Sequence, residues 1–143
     1  MSKIIENVYK SSSCDETKEI AKNLAIQLNA GQIVLLSGDL GSGKTVFAKG
    51  FAEGLGVNQD ITSPTFTIMN CYDNILNHFD LYRLNSIDEL LAVGAEEELY
   101  GDKISLVEWP EIVGLSFFPK NSILVTITKI GEDERLIEIS YNN

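Results

Sequence analysis

A three-layer α/β fold, built on a largely parallel sheet, is what the sequence predicts, and three observations predict it. The run Ile33-Val34-Leu35-Leu36 is continuously apolar, the pattern of a strand covered on both faces as in a parallel sheet. Directly after it comes a glycine-rich loop, Gly38-Asp39-Leu40-Gly41-Ser42-Gly43-Lys44-Thr45, with the spacing G-x-x-x-x-G-K-[ST]. A helix then reads from Lys44 to Leu55, stopped by Gly54 and Gly56. Strand, phosphate loop and helix in this order specify the P-loop NTPase type, with the loop at the carboxyl edge of the sheet.

The remaining elements follow from local pattern. Lys3 to Val8 reads as a short strand. Ser13-Cys14-Asp15-Glu16 has the form of a capping box, and Ile20, Leu24, Ile26 and Leu28 lie near helical spacing, so a helix is expected from Asp15 to Asn29, ended by Gly31. Thr62-Ser63-Pro64-Thr65 is turn-like, and the chain is expected to be extended from Phe66-Thr67-Ile68 onward. Ile75 to Leu81 is a further strand, ending near Asp80. Ser86-Ile87-Asp88-Glu89 repeats the capping pattern and opens a helix to Val93, and a short acidic helix is expected within Gly94 to Tyr100. Ile104 to Val107 is a buried strand that delivers Glu108. Ile123 to Ile130 and Arg135 to Ser140 alternate about Gly131-Glu132-Asp133, which reads as an antiparallel C-terminal hairpin.

Composition bounds the function. A length of 143 residues with 44% hydrophobic content fits a single domain over 1–143, with no repeat or linker. The start, Met1-Ser2-Lys3-Ile4-Ile5-Glu6, breaks its apolar run at once, unlike a signal peptide. No apolar stretch approaches the roughly 20 residues of a membrane span, so a soluble, cytoplasmic protein without membrane contact is expected. Cys14, Cys71 and His78 share no metal-binding spacing. Eleven Lys and Arg against 21 Asp and Glu give a net charge of −10, which argues against unaided binding to a phosphate backbone. Work on nucleic acid through a basic partner stays open.

The loop carries the chemistry. Its glycines let successive N–H groups turn toward phosphate oxygens, and the following helix N-terminus adds partial positive charge. Lys44 is placed to bridge the β- and γ-phosphates of ATP, and the Thr45 hydroxyl to coordinate magnesium. Such a site needs an acid near the metal, and Asp80 and Glu108 both end apolar strands that could face the phosphates. For either acid, an exposed position at a strand end is the plain alternative. His78 reads as a core histidine held by a hydrogen bond, and Trp109 as a packing residue able to report on the site optically.

Four motifs in one order resemble the TsaE (YjeE) family: the phosphate loop, Ser63-Pro64-Thr65-Phe66, His78-Phe79-Asp80-Leu81-Tyr82-Arg83-Leu84, and Glu108-Trp109-Pro110-Glu111. The resemblance implies an ATPase, slow on its own, that serves threonylcarbamoyladenosine (t6A) modification at position 37 of ANN-decoding tRNAs. Its partners would be TsaB and TsaD, with tRNA touched only through that complex. It implies ATP and Mg2+ as cofactors, with Thr45 and Glu108 as metal ligands and Gly41, Ser42, Gly43, Lys44 and Thr45 as phosphate cradle, joined by Val46. Lys44, Asp80 and Glu108 form the implied catalytic set, with Asp80 acting on the attacking water. Ser63, Pro64 and Thr65 fall where a switch loop could sense the γ-phosphate, and Ser13 to Thr17 with Gly131 border base and ribose. Ser42 stands where many members carry alanine. Arg83 belongs to the family motif, and a structural ion pair is its plain reading.

Two other functions compete. A small-molecule or nucleotide kinase normally has an arginine-bearing lid, and Ser86 to Gly101 contains no arginine. A nucleotide-dependent binding switch would need no turnover.

Overall fold

The computed structural model describes residues 6–62 and 68–141. Among these residues seven strands form one sheet: β1 (Asn7–Ser11), β2 (Ile33–Ser37), β3 (Met69–Tyr72), β4 (Leu76–Asp80), β5 (Ile104–Glu108), β6 (Ile123–Lys129) and β7 (Arg135–Tyr141). Four helices accompany them: α1 (Cys14–Ala25), α2 (Lys44–Gly54), α3 (Ile87–Ala92) and α4 (Ala95–Leu99). The strand order is β1-β7-β6-β2-β5-β4-β3. The central strands β6, β2, β5 and β4 run parallel, and the C-terminal hairpin adds β7 antiparallel to β6.

Alternation along the central strands divides the core into two layers. Val34, Leu36, Leu76, Leu106 and Val125 join α1 and α2 through Leu24, Phe47 and Phe51. Ile33, Leu35, Phe79 and Val107 face the other way and meet Leu90, Ala95 and Leu99 of α3 and α4. Helices on both faces explain why β2 reads as an unbroken apolar run. At the crossing of the first two helices, a Cβ on Gly50 would stand 2.5 Å from the Lys18 carbonyl oxygen. Only glycine permits that approach.

The three-layer class and the C-terminal hairpin are as expected, while both sheet edges differ in detail. The first strand falls at Asn7–Ser11 rather than Lys3–Val8, and it pairs antiparallel with β7. Residues 1–5 lie outside the described residues. At the opposite edge β3 pairs antiparallel with β4 across Asp73 and Asn74, whose φ angles of 51° and 58° suit a primed hairpin turn. Phe66 and Thr67 lie outside the described residues. The first helix ends at Ala25 rather than Asn29, because Gln27 and Leu28 donate to Leu24 and Ala25 in a tighter turn. Ser13 caps it through Glu16 N–H, but the Glu16 carboxylate reaches Ser12 N–H at 2.7 Å. No helix among the described residues is long and apolar enough to cross a membrane.

Candidate functional site

Sheet register assembles the site. Glu108 stands opposite Leu36, one residue before the end of β2, and Asp80 stands opposite Glu108. Two acids from neighbouring strands therefore reach the edge from which the phosphate loop departs. The loop ends in α2, whose cap is Gly43 at φ 109°, with no side-chain cap and no acid in its first turn. The other three helices all carry Asp or Glu there. In a chain of net charge −10, this is the helix start whose unpaired N–H groups remain open to an anion.

The loop is tightly folded. A Cβ on Gly38 would lie 2.6 Å from Ser42 Oγ and 2.7 Å from the Ile127 carbonyl oxygen. Gly38→Ala is therefore expected to cost about 1–3 kcal/mol through overpacking, seen as a lowered midpoint in urea unfolding. An unchanged midpoint would mean that the loop is slack.

Lys44 is buried, with 7% of its surface exposed. Its ammonium donates to the Gly38 carbonyl and sits 3.5 Å from the centroid of the Trp109 ring, a cation–π contact. Burial pushes the ammonium below the ordinary lysine value, against the pull of Glu108, Glu111, Asp80 and Asp39. Trp109 holds a left-handed backbone at φ 59° and packs on Tyr82 at 4.7 Å between ring centroids. It is thus a packing residue, as expected, and its contact with Lys44 puts it where it can report on the site optically. Beside it, Ser37 Oγ donates to Glu111 at 2.6 Å. Ser37, Trp109 and Glu111 line a cavity of 380 Å³ between the phosphate loop and the end of β6, Thr126 to Lys129.

The acids differ in setting. Asp80 is half-buried, and its Oδ1 accepts from Tyr82 N–H at 3.1 Å. Burial raises its carboxyl above the ordinary value; the Tyr82 bond opposes the rise, Glu108 adds to it, and His78 and Lys44 oppose it. Glu108 is only 4% exposed, and its Oε2 lies 2.6 Å from Nε2 of His78. His78 is thus the hydrogen-bonded core histidine expected, with an acid of the site as its partner. Thr45 is exposed in the first turn of α2. Hydroxyl and carboxylate are hard oxygen donors, and magnesium commonly takes one or two protein ligands plus substrate phosphates. Thr45 and Glu108 fit that pattern.

A second pocket, of 80 Å³, gathers Ser13, Cys14, Thr17, Gly43 and Val46 with Glu132, Asp133 and Arg135. The start of α1, the loop and the hairpin turn meet here. Gly131 does not line this pocket; its carbonyl accepts from Arg135 at 3.2 Å beside it. Arg135 is the residue that sequence reasoning missed. Its Nε donates to the Ser42 carbonyl at 2.7 Å, while Nη1 donates to the carbonyls of Gly131, Glu132 and Glu134. It pins the hairpin to the phosphate loop. Arg83, by contrast, is exposed and forms no ion pair among the described residues, so the structural pairing expected for it is not found there. Ser63, Pro64 and Thr65 lie outside the described residues.

A parallel core that leads into a phosphate loop, with acids ending the adjacent strand β5 and the next strand β4, defines a P-loop protein of the ATPase type. The family model "Threonylcarbamoyl adenosine biosynthesis protein TsaE" matches residues 11–137. The TsaE protein of Bacillus subtilis is 40% identical over 132 residues, covering 90% of this chain and 82% of that protein. That of Borreliella burgdorferi is 43% identical over 124 residues, covering 84% and 89%. A crystal structure of Bacillus subtilis YdiB superposes with a TM-score of 0.77 at 34% identity, covering all of this chain (100%) and 90% of the other. The chain belongs to the TsaE family.

Proposed function

We propose that this chain is the ATP-binding and ATP-hydrolysing subunit required for t6A modification at position 37 of ANN-decoding tRNAs, acting in the cytoplasm with TsaB and TsaD. The observation that carries the reading is the register that sets Asp80 and Glu108 side by side at the phosphate-loop edge. In this reading the backbone from Gly41 to Val46 cradles the phosphates, and Lys44 spans the β- and γ-phosphates. Thr45 and Glu108 would hold magnesium, which would supply neutralisation of the phosphate charge. Asp80 orients the attacking water and takes up its proton, a role favoured by a carboxyl that burial raises above the ordinary value. The pocket beside Ser13, Val46 and the turn at Gly131 takes the nucleoside end. The acidic surface leaves tRNA to the partner proteins. The test is repeated t6A formation by TsaB and TsaD supplied with threonylcarbamoyl-adenylate. Continued turnover is expected to require this chain and ATP together; undiminished turnover without the chain would contradict the proposal.

A further inference from the structure

We infer that His78 is a positioning residue for Glu108, fixing one carboxylate oxygen so that the other can serve magnesium. This rests on the reading of Glu108 as a metal ligand. Both side chains are buried, and Nε2 to Oε2 is 2.6 Å. A carboxylate accepts only, so that bond places a hydrogen on Nε2. Among the described residues Oε2 is the one Glu108 oxygen in a hydrogen bond, so the contact spends half of the carboxylate and spares the rest.

Two features separate positioning from mere core filling. First, Nδ1 is buried with no hydrogen-bond partner among the described residues, so the ring's described polar contact is with Glu108 alone. A histidine kept only to satisfy the core would be expected to use both nitrogens. Second, the contact is diagonal across two parallel strands: His78 is level with Leu106, two residues before Glu108 on the same face. The rigid sheet thus sets the donor's place, and a long side chain with several free torsions is held by a partner that cannot drift. Groups that orient metal ligands in this way typically change metal affinity by about 10–100-fold when removed.

The test measures Mn2+ binding, by electron paramagnetic resonance, to the chain saturated with a non-hydrolysable ATP analogue. His78→Leu keeps an apolar side chain in the core but loses the donor, and is expected to weaken Mn2+ binding by about tenfold or more. His78→Gln, which returns an N–H donor, is expected to recover most of the loss. Unchanged affinity in His78→Leu, with weakened affinity in Glu108→Gln, would overturn the positioning role and leave Glu108 a ligand. Unchanged affinity in Glu108→Gln as well would overturn the ligand reading itself. Should His78→Leu fail to fold, the native chain carries the test. His78 is its only histidine, so its ring N–H resonance is unambiguous in an untagged protein. That resonance is expected to shift when Mg2+ is added to the nucleotide-bound chain; no shift would overturn the inference.

Discussion

Lys44→Ala is expected to abolish ATP hydrolysis, reducing it by on the order of 100-fold or more, as when a charge-stabilising donor is removed from a reacting centre. The fold should survive. Lys44 is buried, and burial lowers its ammonium below the ordinary lysine value. A folded state that holds a proton less tightly than the unfolded chain is stabilised above the ordinary lysine range. That advantage is lost as pH falls through the lowered folded value. At neutral pH this cost of the buried charge offsets part of what its contacts with the Gly38 carbonyl and the Trp109 ring contribute, so the variant is expected to remain folded. The check pairs a hydrolysis assay with a melting curve. Normal hydrolysis, or a chain that fails to fold, would each contradict the role given to Lys44.

Asp80→Asn should separate binding from chemistry. The amide oxygen can still accept from Tyr82 N–H, as Asp80 Oδ1 does at 3.1 Å, so the local turn is kept. What is lost is a group able to take a proton, and hydrolysis is expected to fall by about 10²–10⁴-fold with nucleotide affinity retained. Stability gives a second readout with a definite sign. Burial raises the folded value of Asp80, so the folded chain holds this proton more tightly than the unfolded one. Its contribution is fully present below the ordinary carboxyl range and is lost as pH rises through the raised value. The variant should therefore be the more stable protein at neutral pH, with the gap closing in acid. Equal hydrolysis would move Asp80 out of the chemistry, and lost nucleotide binding would make it structural.

The parts of the site written in consecutive residues were legible before any coordinates. The phosphate loop is one, because its spacing is its geometry. The strand-end places of Asp80 and Glu108 are others, because an acid that follows a short apolar run falls where the strand stops, although Glu108 is buried there and only Asp80 is partly exposed. What could not be read is what depends on pairing between distant segments. The contact of His78 with Glu108 exists because β4 and β5 are parallel in one register, and a slip of one residue would turn the histidine to the other face. Arg135 reaches Ser42 across 93 positions of sequence, and nothing near either residue announces the bond. The place of Trp109 beside Lys44 follows from a left-handed turn before Pro110, where a tryptophan is not the residue that pattern leads one to expect. The sheet edges were hidden for a related reason: Asn7–Ser11 becomes a strand only because β7 is there to pair with it.

ATP hydrolysis in the service of tRNA modification is tested most directly by the hydrolysis rate of the purified chain. It should be measured alone and then with TsaB, TsaD and an ANN-decoding tRNA. The proposed function requires slow magnesium-dependent hydrolysis by the isolated chain and marked stimulation by the complex, abolished in Lys44→Ala. No stimulation, with phosphate passed instead to a small acceptor, would contradict it.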